Sequence, residues 1–170
     1  MADVPQQKVN TGAVRRSVSR LAAVQGLYQV AVGGAGPEEV ITQFLAGRPD
    51  WMGRDHPGIA KMDQGLFCDI VRGVMAERER IDSLIEAALS KGRTVERLEV
   101  LLRLILEAGT WELSSRADVP ARVVLSEYLG VADAFFEGEQ PGLVNAVLDR
   151  LAHNLRDAEL GAARPEKDAP

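Results

Sequence analysis

Cysteine is nearly absent. Cys68 is the only one in 170 residues, so no internal disulfide can form and a multi-cysteine zinc site is excluded. A lone thiol of this kind is expected to pack as a small core hydrophobe, and a reducing compartment suits it. Histidine is scarce too. His56 falls in a stretch rich in Gly and Pro, and His153 lies on a helix away from its apolar stripe. Neither has a second ligand at metal spacing, so both are expected in solvent, with no metal and no cofactor. The run Gly33-Gly34-Ala35-Gly36 lacks the Lys-Ser/Thr pair that completes a phosphate loop. Ser17 and Ser19 have no base nearby in sequence. No convergent set of reactive groups is left, so no enzyme is expected. Long apolar runs are missing as well. The stretch Leu21 to Val32 is interrupted by Gln25, Gly26 and Gln29 and is too short to span a membrane, and Arg15, Arg16 and Arg20 before it do not make a leader. The expected location is the cytoplasm, away from membranes.

What the chain does have is an ordinary globular composition: 46% hydrophobic and 26% charged residues, enough apolar material to bury a core and too much for a disordered chain. The net charge of −5 is spread unevenly. Residues 1–35 carry Lys8, Arg15, Arg16 and Arg20 against Asp3 alone. The body is therefore acidic and one end is basic. Screening at physiological salt confines fields to roughly 8 Å, so a local basic end on an acidic body can still hold phosphate.

The hydrophobic pattern is helical almost throughout. Val14, Val18, Leu21, Ala22, Val24, Tyr28, Ala31 and Val32 read as one broad stripe of a helix starting near Val14, with Gln25 inside it and in need of a buried partner. Arg16 and Arg20, four apart, are placed on the opposite side. Pro37 suits the first turn of a second helix whose face is Val40, Ile41, Phe44 and Leu45. Residues 47–62 read as a loop. Asp63 can cap a third helix, with Leu66, Phe67, Ile70, Val71 and Val74 inside. A fourth follows through Ile81, Leu84, Ile85, Ala88 and Leu89, and Thr94 can cap a fifth through Leu98, Leu101, Leu102, Ile105, Leu106 and Leu113. Pro120 opens a sixth through Val123, Val124, Tyr128, Val131 and Phe135. Pro141 opens the last, with Leu143, Val144, Val147, Leu148, Leu151 and Leu155 inside and Asn145, Asp149 and Arg156 on the far side. No strand pattern competes. The expected fold is all-α, about seven helices in two sub-bundles: a disordered basic arm over residues 1–12, a helical domain over 13–157 and a disordered tail over 158–170. Glu107, Glu112 and Glu127 are read as solvated helix faces.

One feature has a binding mechanism. Arginines at the start of a rigid helix can contact successive phosphates. They also oppose the helix dipole there, a placement that a bound anion would offset.

Three stretches go beyond generic pattern: Arg15-Arg16-Ser17-Val18-Ser19-Arg20-Leu21-Ala22-Ala23-Val24-Gln25-Gly26-Leu27-Tyr28-Gln29, then Trp111-Glu112-Leu113 with Asp118-Val119-Pro120, then Leu143-Val144-Asn145-Ala146-Val147-Leu148-Asp149-Arg150. In order and spacing they resemble the NusB family of antitermination factors over about residues 13–156. The resemblance implies a helical factor that binds single-stranded boxA-type RNA of ribosomal RNA leaders together with the ribosomal protein NusE, within an RNA polymerase antitermination complex. It implies RNA contacts at Arg15, Arg16 and Arg20, and partner contacts at Tyr28 and Glu96. Exposed Asn145 is a further candidate for reading RNA, since its amide offers donors and an acceptor. The resemblance allows a homodimer as well as a monomer. Leu143, Ala146, Ser126 and Glu107 depart from the family's usual phenylalanine, glycine, asparagine and arginine. The competing reading is a helical protein-interaction module, or a self-associating protein of the same fold, with weak or no RNA binding.

Overall fold

In the computed structural model, residues 10–46 and 62–161 are described. Asn10 caps the first helix, its side-chain oxygen accepting from the Ala13 amide at 3.2 Å. That cap starts α1 at Thr11, within the segment the sequence assigns to an arm, and it runs Thr11–Gly33. Gly34, with φ +72°, ends it in the left-handed conformation that a glycine adopts without strain. The remaining helices are α2 Pro37–Leu45, α3 Gln64–Ala88, α4 Val100–Ser115, α5 Ala121–Phe135, α6 Gln140–Leu155 and α7 Asp157–Gly161. Seven α-helices and no strand are found among the described residues, the all-α fold expected.

The details differ in instructive ways. Asp63 caps α3 as expected, accepting from the Leu66 amide at 3.1 Å. The expected third and fourth helices are a single element interrupted only at Glu77, whose φ of −114° and ψ of 17° mark a kink. Thr94 gives no side-chain cap; a 3₁₀ turn, Val95–Arg97, follows it and α4 begins later, at Val100. Helix α7 occupies the start of the expected tail. Most of the expected arm and tail, the 47–61 loop, Lys8 and His56 lie outside the described residues.

Helices α1–α3 form one sub-bundle and α4–α6 the other, joined where α4 packs on both α1 and α3. Helix α4 is the axle, with Leu104 to Leu113 buried without interruption. A helix packed on all sides has no solvent face over this stretch, so its glutamates go inside as well. Glu107 and Glu112 are each 0% exposed, which corrects the expectation of solvated faces. Two glycines allow close approach to the axle's neighbours. A Cβ at Gly73 would lie 2.1 Å from the Trp111 ring, and one at Gly109 would lie 2.9 Å from Leu148 Cδ1. Parts of several expected stripes are exposed instead of buried: Val14, Tyr28, Val32, Leu45, Val123, Phe135 and Leu155. Cys68 packs against the core from a partly buried position.

Candidate nucleic-acid interface

The start of α1 is fastened to the start of α3. The Ser19 hydroxyl shares its proton between the carbonyls of Arg15, at 2.9 Å, and Asp63, at 2.7 Å. The Asp63 amide donates back to the Arg15 carbonyl at 3.2 Å. Arg15 and Arg16 are left on the exposed side of this joint. Arg16 makes no ion pair with any described residue.

Arg20 does not join them. It is 1% exposed, and its guanidinium grips Glu112 of α4 through Nε at 3.0 and 3.2 Å and Nη2 at 2.5 Å. Glu127 of α5 stands 3.3 Å from Nη1, and the Tyr128 hydroxyl donates to the same Glu112 at 2.9 Å. Burial by itself would pull the Arg20 pKa down, but the hydrogen bond and charge of Glu112 outweigh it and leave Arg20 above its ordinary value. Burial, then the neighbouring Glu112 charge, pushes the Tyr128 phenol well above its ordinary value, so it stays a donor. The outward placement of Arg20 beside Arg16 is thus corrected. The signal was present in the sequence: three, four and seven residues after Arg20 come Ala23, Val24 and Leu27, each 0% exposed, and these share its side of the helix.

A cleft of about 570 Å³ opens above this pair. Arg16 and Arg20 of α1, Arg116 and Asp118 of the α4–α5 turn, and Asp63 and Asp69 at the start of α3 face one another across it. Arg116 binds Asp118 with two bonds of 2.9 Å and reaches Asp69 at 3.2 Å. The Arg116 hydrogen bond draws the Asp118 pKa below its ordinary value. Sequence reasoning missed Arg116, Asp63 and Asp69 because their meeting depends on helix packing. It also misplaced Arg156. Instead of pointing to the far side of α6, Arg156 donates to the carbonyls of Glu112, Leu113, Arg116 and Val119 at 3.1, 2.8, 2.7 and 2.5 Å. It thereby satisfies the open carbonyls at the end of α4 and holds the turn that carries Arg116.

Tyr28 lies elsewhere, 42% exposed, beside an apolar groove of about 420 Å³ lined by Gln25, Gln29, Glu99, Leu101 and Phe135. Gln25, expected to need a buried partner, buries a side-chain oxygen with no hydrogen bond from the described residues, and so does Gln29. Glu96 is exposed on the 3₁₀ turn and does not line this groove; Glu99 does. Asn145 is exposed on α6 and does not line the arginine cleft. Structure therefore brings Arg16 and Arg20 to one cleft, and sets Tyr28 apart from them in the groove.

The NusB family profile matches residues 17–153. The chain belongs to the NusB family. It is similar to the transcription antitermination protein NusB of Nitrobacter hamburgensis, 45% identical over 94% of this chain and 98% of that protein. It is equally similar, at 45% over 91% of each chain, to the protein of the same name from Rhodopseudomonas palustris BisB18. The solved structure of T. maritima NusB superposes with a TM-score of 0.66 at 22% identity, covering 86% of this chain and 96% of that one, and so shares the fold. For this NusB-family chain no group of histidine, cysteine or carboxylate side chains among the described residues is arranged to hold a metal ion. No described helix is long and apolar enough to cross a membrane.

Proposed function

We propose that this chain is a transcription antitermination factor, not an enzyme, that binds single-stranded boxA-type RNA of ribosomal RNA leaders together with NusE and joins an RNA polymerase antitermination complex in the cytoplasm. The observation that carries the RNA half is Arg16: an exposed guanidinium on a helix start anchored to α3, with no counter-ion among the described residues. A fixed, uncompensated cation is what a phosphate contact requires. Arg15 stands beside it as a second contact, and Asn145 is a separate reader of bases. The partner half rests on Tyr28 and its apolar groove, where a polar-edged concave surface offers an aromatic anchor for NusE. Glu96, exposed on the 3₁₀ turn outside this groove, is a separate partner contact. A homodimer would compete with NusE for this groove.

The experiment is fluorescence anisotropy of labelled boxA-type RNA across a salt series, with and without NusE. Arg16→Ala is expected to weaken binding and to lower the magnitude of the salt slope by about one. Binding by the parent is expected to tighten when NusE is present, and Tyr28→Ala to remove that gain. An Arg16→Ala protein that binds as tightly as the parent at every salt would remove the RNA reading. Loss of the NusE effect in the parent would remove the partner reading.

A further inference from the structure

Every wall of the cleft above Arg20 is tied to its neighbour. Ser19 and the Arg15 carbonyl hold α1 to Asp63 of α3. Arg20 holds α1 to Glu112 of α4. Arg156 holds the α4–α5 turn by its carbonyls, and Arg116 ties that turn to Asp69 of α3. Such a cleft is formed before a ligand arrives and loses little freedom on binding. Its charges nearly cancel. Arg20 is answered from below by Glu112, Arg116 by Asp118 and Asp69, and one oxygen of Asp63 by the Leu66 amide. Of the cleft's three arginines, Arg16 alone has no ion pair with a described residue. A balanced cleft is a poor track for a continuous polyanion, which calls for a row of uncompensated cations. It suits one phosphate and a group that presents both donors and acceptors. Val119, Pro120 and the exposed Val123 add an apolar wall. The volume, about 570 Å³, is in the range of small-ligand sites.

We propose that this cleft takes one unstacked nucleotide of the RNA, with its phosphate at Arg16, its base against Val119, Pro120 and Val123, and the amino edge of that base on Asp118 or Asp69. This rests on the RNA-binding reading above and adds to it the place where a base is discriminated. Single-stranded RNA is read by splayed-out bases held at their edges. Each aspartate keeps lone pairs beyond those that Arg116 uses. A carboxylate accepts from the exocyclic amine of cytosine, adenine or guanine and repels the O4 carbonyl of uracil. The cleft therefore selects an amino-bearing base at one RNA position.

The test uses the full chain and labelled single-stranded boxA-type RNA, together with a set of RNAs in which each amino-bearing base is replaced in turn by uracil. Val123→Trp fills the cleft from an exposed position and removes no cation; thermal melting should stay at the parent value. It is expected to weaken RNA binding about tenfold, the scale of one lost base contact, with the salt slope unchanged. Asp118→Asn or Asp69→Asn is expected to erase the penalty for uracil at a single RNA position, and a penalty kept by both variants would overturn the base contact. Parent-like RNA affinity in Val123→Trp, alongside weakened binding in Arg16→Ala, would overturn the cleft while leaving the RNA reading intact. Val123→Trp that keeps RNA but loses NusE would make the cleft a protein site, which also overturns the proposal. A parent that binds no RNA with or without NusE would remove both.

Discussion

Arg20 and Glu112, 92 residues apart in sequence, meet in a forked ion pair whose side chains are 2% and 0% exposed. Removing one member of a buried pair strands the other charge in a medium that cannot solvate it. Arg20→Ala is expected to lower stability by about 3–5 kcal/mol. Arg20→Lys should recover only part of this, since an ammonium cannot make the two-pronged contact with Glu112 while also reaching Glu127. Arg16→Ala, at an exposed site, should change stability by less than about 0.5 kcal/mol. Urea unfolding of the three variants measures the contrast. Equal losses for Arg16 and Arg20 would show that Arg20 is not the buried member.

Tyr128 supplies an alkaline signature. Its folded pKa lies well above the ordinary 10.0 because the phenol is buried beside Glu112. In the unfolded chain it ionises near the ordinary value. Above that pH the folded protein holds a proton the unfolded chain has lost, so stability falls as pH rises until the folded group itself ionises. In a Tyr28→Phe background Tyr128 is the remaining tyrosine. Phenolate absorbance should then appear together with loss of helical circular dichroism. Phenolate forming while the helices persist would contradict the buried hydrogen bond to Glu112.

Gly73 and Trp111 set the spacing of α3 and α4. A methyl group at Gly73 would overlap the indole at 2.1 Å, and Trp111 is only 6% exposed, so the ring has little room to swing away. Gly73→Ala is expected to cost about 1–3 kcal/mol, or more if α3 must shift. Trp111 fluorescence, read in a Trp51→Phe background, should report a more open ring environment. A stable variant with unchanged emission would show that the two helices are not held this closely.

Leu148 lies fully buried on α6 with its methyl groups over Gly109 of α4. Leu148→Ala is expected to cost about 2–5 kcal/mol, with the upper end reached if α4 and α6 cannot close the cavity. Chemical denaturation gives the value. A change within the surface range, about 0.5 kcal/mol, would mean that α6 does not bury this side.

Much of this was legible from residue types in order. The 3.6 period, Asp63 as a cap, and Pro37 and Pro141 at helix starts are local physics, because backbone geometry and hydrogen bonding near the chain decide them. The family was legible from three short stretches, and the fold came with it. The failures over charged residues share one cause. Arg20, Glu107, Glu112 and Arg156 read as solvated because a charged residue on an isolated helix is cheapest in water. Whether it goes inside depends on which opposite charge or open carbonyl another helix brings to it.

Arg20 needs Glu112 of α4, Glu107 needs Arg78 of α3 and Arg103 one turn before it, and Arg156 needs the exposed carbonyls at the end of α4. The sequence by itself determined the helices, the family and the basic start of α1, since each is a property of neighbours along the chain. Only the tertiary structure decided which arginine faces solvent and which becomes part of the core, and that a cleft forms between α1, α3 and the α4–α5 turn. Those outcomes depend on charges brought together from distant parts of the chain, and burial of a charge is stable only once its partner is in place.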